Sequence, residues 1–154
     1  MSASAGNNQP LKYYISNQQK ENKLIFSCLS WAGYLTNWSG PAPGEQPSAY
    51  IIILGDTSIS RNFWCDHGIA AQSIMLGAVE AGLGGCMLGA INHKRLRTLL
   101  QIPKKYEILL VLAIGKPKER VVLETVKGND IKYWRDSRKT HHVPKRSLKN
   151  IIIN

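Results

Sequence analysis

The sequence YIIILG at residues 50–55 is an uninterrupted apolar run that ends at a glycine. A short run without alternation is typical of a strand that is buried on both faces of a sheet. The run YEILLVLAIG at residues 106–115 is the strongest strand signal in the chain, and two shorter ones lie at residues 11–15 and 85–88. These four segments predict a central sheet whose faces are covered by helices.

Three helices are expected to cover that sheet. Asn17 is a candidate N-cap for a first helix over residues 18–32. A long second helix is expected to start at residue 57 or 58 and to end near residue 81, where a glycine follows. A short amphipathic helix follows over residues 93–100. Because strands and helices do not alternate strictly, the predicted class is α+β with a mixed central sheet.

The second helix is unusual because it carries no charge between His67 and Glu80. A helix that is apolar all round must be buried on nearly every side. Small residues such as Gly68 and Gly77 would also let another backbone come close. One small domain can hardly enclose a helix of about 35 Å, so we expect this helix to lie at a subunit interface. The alternative is a central helix in a monomer.

Length and composition favour one folded domain with a core. The chain has 154 residues, of which 44% are hydrophobic, and this excludes a disordered chain. Its apolar runs are all much shorter than the roughly 20 residues that cross a bilayer, so no membrane partner is expected. The three cysteines are odd in number and lack metal-ligand spacing, and are interpreted as reduced, buried thiols of a cytoplasmic protein.

The chain is strongly basic, with a formal net charge of +10. Residues 116–149 hold 11 basic and 4 acidic side chains, which is +7 of that excess. Such a balance is typical of proteins that meet nucleic acid, anionic membranes or a phosphate-bearing ligand. Since the charges are scattered and no nucleic-acid-binding motif is visible, we expect no nucleic-acid partner.

Three motifs together resemble the FMN-dependent nitroreductase family, over nearly the whole chain: SAGNNQP at residues 4–10, DHGIAAQ at 66–72 and GLGGCMLG at 82–89. The resemblance implies an intertwined homodimer in which the C-terminal strand of one subunit joins the sheet of the other. Ile151–Ile153 would be the strand that joins the sheet of the partner. A single nitroreductase-like domain is then expected over residues 1–154, with a C-terminal extension over about 121–154 that embraces the partner.

The resemblance also implies which residues contact FMN. Ser4, Ala5 and Asn7 would reach the flavin of the partner subunit, and Asp66 would lie near it, although a helix N-terminal acid is equally expected from the helix dipole. The flavin ring and phosphate contacts would come from Met87, Leu88, Gly89, Lys145 and Arg146. For the last two the alternative is a solvated basic tail. No metal ligand and no catalytic side chain are expected, because the flavin carries the chemistry.

The activity that the resemblance implies is an NAD(P)H-dependent FMN oxidoreductase. Nitroaromatic, quinone or flavin-type acceptors would be reduced by a ping-pong cycle in one shared pocket. Family members carry a helix and an Arg-x-Ser-x-Arg motif before the first loop, and this sequence has neither before Ser4. It therefore predicts an N-terminally shortened member. The alternative function is a non-catalytic flavin-binding or dimeric scaffold.

Overall fold

The structure, a computed structural model, describes residues 2–154. It divides into two compact units, residues 2–31 with 41–117 and residues 32–40 with 118–154. The elements of the first unit are β1 (Leu11–Ser16), α1 (Gln19–Phe26), β2 (Ala49–Asp56), α2 (Asp66–Glu80), β3 (Gly84–Leu88), α3 (His93–Leu99) and β4 (Tyr106–Gly115), after a 3₁₀ turn over Ala5–Asn7. The second unit holds β5 (Val121–Thr125), β6 (Trp134–Arg135), β7 (His141–Lys145) and a 3₁₀ turn over Leu148–Asn150.

The first unit is built on a four-stranded sheet in the order β1-β2-β4-β3. All three strand pairs in it are antiparallel, with Ile52 of β2 opposite Val111 of β4. The register shifts between Ile53 and Leu54. The α+β class is therefore confirmed, and so are the four strands expected from the apolar runs. The expected mixed pairing is not found within this sheet.

The two faces of the sheet carry separate cores, because side chains alternate along the strands. One face packs against α1 and α3, with Tyr50, Ile52 and Val111 fully buried beside Ile25 and Leu96. The other face packs against α2 through two alanines and three branched residues: Ala71, Ala78, Ile53, Leu112 and Ile114. The sheet is thus enclosed between helices on both sides, as the uninterrupted apolar strands require.

Two helices, α1 and α2, are shorter than expected. The chain turns after Asp56, whose carboxylate accepts hydrogen bonds from the Ser58 N–H at 3.0 Å and hydroxyl at 2.5 Å. The hydroxyl bond holds the pKa of the Asp56 carboxyl below its usual value. The Phe63 ring then packs against Gly55, where an added Cβ would lie 2.3 Å from the ring. These contacts delay the start of α2 to Asp66, so the expected start at residue 57 or 58 is wrong.

The first helix also differs at both ends. Gln18, not Asn17, is its N-cap residue, and no side chain caps it. It stops at Phe26 instead of reaching residue 32, because Leu29 forms a bridge with Ile91. The Ser30 N–H likewise donates to the Ala90 carbonyl at 3.0 Å. This pairing with a distant segment ends the first helix before residue 32.

One face of α2 is left open in the single chain. Leu76 and Val79 are 62% and 63% exposed, and Ile69 is also exposed. A Cβ added at Gly68 or Gly77 would meet no atom of the described chain within 4 Å. We call these five residues the open face of α2. The expected burial on nearly every side is not reached within residues 2–154, and an uncovered apolar helix face of this kind is typical of an interaction surface.

The second unit is a three-stranded sheet in the order β5-β7-β6, with β5 and β7 parallel. Ring and charge contacts hold it together: Trp134 stacks on His142 at 4.9 Å, and the Arg135 guanidinium lies 4.2 Å from the Trp38 ring centroid. Ile151–Ile153 lies outside every strand of residues 2–154 and is exposed. Strand exchange by this segment stays a prediction.

The expectation that all three cysteine thiols are buried is wrong for two of them. Cys28 is buried in the core, but Cys65 and Cys86 are exposed, so the buried environment holds for only one thiol. None of the helices in residues 2–154 is long and apolar enough to cross a membrane.

Gly85 is a position where the strand pairing leaves no room for a side chain. An added Cβ would lie 2.0 Å from the Ala113 carbonyl oxygen of β4. We expect Gly85→Ala to lower the free energy of unfolding by about 2 kcal/mol or more, since backbone must move. Gly33→Ala is the matched control, because its Cβ would meet nothing within 4 Å in the described chain. Urea denaturation at one protein concentration measures both; equal stabilities would contradict the β3–β4 register.

Candidate cofactor site

Asp66 is the centre of the candidate site. It is the first residue of α2 and only 1% exposed. Its Oδ2 accepts the Ser4 hydroxyl at 2.7 Å, and its Oδ1 accepts the Ala5 N–H at 2.9 Å. A buried carboxylate must be paired in this way, and its position in the first turn adds the favourable helix dipole. The structure therefore brings together three predicted site residues, since Ser4 and Ala5 lie 62 and 61 positions before Asp66 in the chain.

Hydrogen bonds hold the loop from Ser4 to Gln9, which contacts Asp66, in a defined conformation. The Ser4 hydroxyl oxygen accepts the Gln9 N–H at 2.9 Å, and the Ser4 carbonyl accepts the Asn7 N–H at 3.0 Å. Gly6, Asn7 and Gln9 have φ values of 56°, 55° and 50°, a left-handed conformation that side chains seldom adopt. Asn7 is exposed, so its side chain is accessible to a ligand.

The end of β3 offers a second polar surface in the same unit. β3 is an edge strand, and such strands present backbone N–H and C=O groups outward. Met87 is 41% exposed, whereas Leu88 is buried in the core. Gly89 is exposed, and a Cβ there would meet no atom of the described chain within 4 Å. Met87 and Gly89 are thus accessible to a ligand, whereas the Leu88 side chain is not.

Lys145 and Arg146 lie in the second unit, at and just after the end of β7. Both are exposed. The Lys145 carbonyl accepts the N–H of Val126, the residue that follows β5, at 3.0 Å. Their cationic groups remain in solvent, where Arg and Lys can contact a phosphate.

A second cluster in that unit surrounds His142. Its Nδ1 lies 2.8 Å from the Glu124 carboxylate and its Nε2 3.4 Å from that of Asp136. The hydrogen bond with Glu124 is the main reason that the pKa of His142 is raised. The backbone N–H of Thr140 is the main cause that lowers the pKa of Asp136. These contacts brace the small sheet just before Lys145.

Two features near Asp66 carry no signal in the sequence pattern. Trp64 is 67% exposed at a φ of 44°, a strained conformation for a bulky residue. The Nδ1 atom of His67 is buried without a hydrogen-bond partner in the described chain. Both lie at the start of α2, and backbone strain often accompanies functional sites. Among residues 2–154, no three His, Cys, Asp or Glu side chains are grouped to hold a metal ion.

Comparison with known proteins agrees with this fold and motif set. The model of the Nitroreductase family matches residues 1–116, and the chain belongs to this family. An Archaeoglobus fulgidus protein with the provisional name NADH dehydrogenase/NAD(P)H nitroreductase is 28% identical over 127 residues. That match covers 77% of this chain and 68% of the relative.

Solved structures share the fold. A nitroreductase family protein of Clostridium novyi NT matches with a TM-score of 0.64 and 22% identity, over 76% of this chain and 68% of its own. An FMN-dependent nitroreductase of Clostridium difficile R20291 has a TM-score of 0.61 and 21% identity, over 78% and 70%. A Bacteroides thetaiotaomicron protein covers 94% of this chain and 78% of its own, with a TM-score of 0.62 and 22% identity.

The His142 cluster gives a pH-dependent prediction. Because the folded pKa of His142 is raised from 6.5, its charged form stabilises the small sheet below that pH. This contribution is lost as the pH rises through the raised pKa. The Asp136 carboxylate contributes to stability with the opposite pH dependence. Its stabilisation is present above pH 3.8 and is lost as the pH falls through its lowered pKa.

An NMR titration of the His142 ring protons measures this pKa directly. We expect a midpoint above 6.5, and Glu124→Gln should move it down because the main hydrogen-bond partner loses its charge. A midpoint at or below 6.5 in the unmodified protein would contradict the cluster.

Proposed function

We propose that this protein is an FMN-dependent oxidoreductase that uses NAD(P)H to reduce nitroaromatic, quinone or flavin-type acceptors by a ping-pong cycle. Family membership supports an oxidoreductase. The names of an NAD(P)H nitroreductase relative and an FMN-dependent structural neighbour support the two cofactors. The observation that carries the proposal is the N-terminal loop, which is already held in shape by Asp66.

The residues present fit FMN in their chemistry. The exposed backbone around Gly89 lets a flat ring approach closely, since no side chain fills that space in the described chain. Met87 adds an apolar contact, and Asn7 is able to hydrogen-bond a polar edge or the ribityl chain. Lys145 and Arg146 are the candidates for the phosphate. The chemistry supplied by FMN is hydride acceptance from NAD(P)H and electron transfer to the acceptor.

We also propose that the protein works as a homodimer. The open face of α2 is apolar and contains two glycines, which suits close packing of a second copy. β1 is an edge strand with Tyr13 and Ile15 exposed, and therefore can accept a further strand. Ile151–Ile153 of the partner subunit is the proposed source. Ser4, Ala5 and Asn7 would then contact the flavin held by the other copy.

The first test is the visible absorption of the purified protein, desalted after incubation with FMN. We expect bound oxidised flavin, and bleaching of its bands when NADH or NADPH is added without oxygen. Gly89→Val should weaken FMN binding about tenfold, because a side chain would fill the space for the ring. Gly33→Val is the control, since a Cβ added at Gly33 too would meet no atom within 4 Å in residues 2–154.

The outcomes separate the functions. No uptake of FMN at about 100 µM, which corresponds to a binding free energy weaker than about −5.5 kcal/mol, would contradict the proposal. Uptake without bleaching by either nicotinamide would identify a flavin-binding scaffold instead.

Dimerisation is tested by a charge on the open face of α2. We expect Leu76→Glu to raise the dimer dissociation constant at least about tenfold, because an unpaired charge would be buried. Ile59→Glu changes a side chain that is 48% exposed in a turn outside α2 and should leave the dimer intact. Sedimentation velocity over a dilution series measures both proteins. A monomeric unmodified protein, or equal dimer constants for both variants, would count against this surface.

A further inference from the structure

We propose that Asp66 is a positioning residue: its buried carboxylate presets the loop from Ser4 to Gln9 for cofactor binding and does not contact the cofactor itself. The inference rests on the proposed FMN function, and it assigns a task to Asp66, which the family resemblance only places near the flavin. It follows from three observations: burial, occupancy of both oxygens and the hydrogen bonds that continue into the loop.

Burial and occupancy argue against direct contact. Asp66 is 1% exposed, so a ligand has almost no access to the carboxylate. Each oxygen already accepts a hydrogen bond, from Ser4 Oγ at 2.7 Å and from Ala5 N at 2.9 Å. Bonds to a buried charge are strong, and breaking them to reach a ligand would leave polar groups unsatisfied.

The hydrogen bonds continue from Ser4 into the rest of the loop. The Ser4 hydroxyl donates to Asp66 and at the same time accepts the Gln9 N–H at 2.9 Å. The Ser4 carbonyl accepts the Asn7 N–H at 3.0 Å. Ser4 therefore holds the backbone N–H groups of Asn7 and Gln9, and is itself held by Asp66.

This support matters because the loop is strained. Three residues within four positions, Gly6, Asn7 and Gln9, have φ between 50° and 56°. A left-handed conformation in non-glycine residues persists only when surrounding contacts enforce it. The Gln9 side-chain amide adds a brace by donating to the Asn7 carbonyl and side-chain oxygens, each at 3.1 Å.

The other end of the loop is anchored independently. Pro10 is fully buried, and its carbonyl accepts the Asp56 N–H at 2.8 Å where β1 begins beside β2. Loss of the Asp66 contact should therefore free one end of the loop while the sheet stays intact. The effect on the cofactor would be a loss of preorganisation, not of a contact.

The test compares Asp66→Ala with Asp66→Asn. The alanine removes both acceptors. The asparagine keeps one acceptor oxygen for Ala5, and its amide is able to donate to Ser4 Oγ, which has two lone pairs. Hydrogen exchange in the protein without FMN should therefore be at least about tenfold faster at Asn7 and Gln9 in Asp66→Ala, with a smaller change in Asp66→Asn.

FMN titration of the same proteins gives the second readout. We expect the dissociation constant to rise in the same order, about tenfold for Asp66→Ala, with an unchanged visible spectrum of the bound flavin. Ile25→Val lowers stability in the core on the opposite face of the sheet and should change neither exchange in the loop nor FMN affinity.

Two results would overturn the proposal. One is unchanged exchange at Asn7 and Gln9 in Asp66→Ala. The other is an equal shift of the flavin spectrum in both Asp66 variants, which indicates a direct contact. If Asp66→Ala does not fold, Ser4→Ala replaces it, with the exposed Ser2→Ala as its control. Because exchange is measured without FMN, failure of the proposed function is distinguishable from failure of this inference.

Discussion

A buried negative charge has to be paired, and this requirement at Asp66 organises the N-terminal part of the molecule. The carboxylate lies at the first turn of α2 with 1% exposure, and the chain satisfies it with a hydroxyl and a backbone N–H from the loop that precedes β1. The same contact places the loop, the start of α2 and the end of β2 within one connected network, since the loop continues through Pro10 to the Asp56 N–H.

The sheet was predictable because its signals are local. The apolar runs at residues 50–55 and 106–115 gave strands at Ala49–Asp56 and Tyr106–Gly115, and their lack of alternation indicated cover on both faces. The start of α2 was not predictable in the same way. It depends on a turn closed by the Asp56 side chain and on a Phe63 ring that packs over Gly55, and neither leaves a periodic pattern in the sequence. The small sheet of the second unit was missed because ring and ion contacts, not apolar periodicity, hold it.

The candidate site was likewise predictable only in part. Its motifs identified the family and placed Ser4, Ala5 and Asp66 on the list of site residues. The bond between Asp66 and a loop some 60 residues earlier is a tertiary contact, and no local pattern encodes it. The uncharged stretch of α2 did indicate an interface, and its open face in the single chain is consistent with that interpretation. The exposure of Cys65 and Cys86 was not predicted either, because no local sequence pattern distinguishes these two thiols from the buried Cys28.

The loop that Asp66 holds is proposed to form part of an FMN site, and a comparison of two serine variants tests this proposal. The Ser4 hydroxyl donates a hydrogen bond to Asp66, whereas Ser2 is an exposed residue of the same segment. The measurement is the FMN dissociation constant of Ser4→Ala and of Ser2→Ala by flavin fluorescence quenching. We expect the dissociation constant to rise about tenfold for Ser4→Ala and less than about twofold for Ser2→Ala. Equal dissociation constants for the two variants would contradict it.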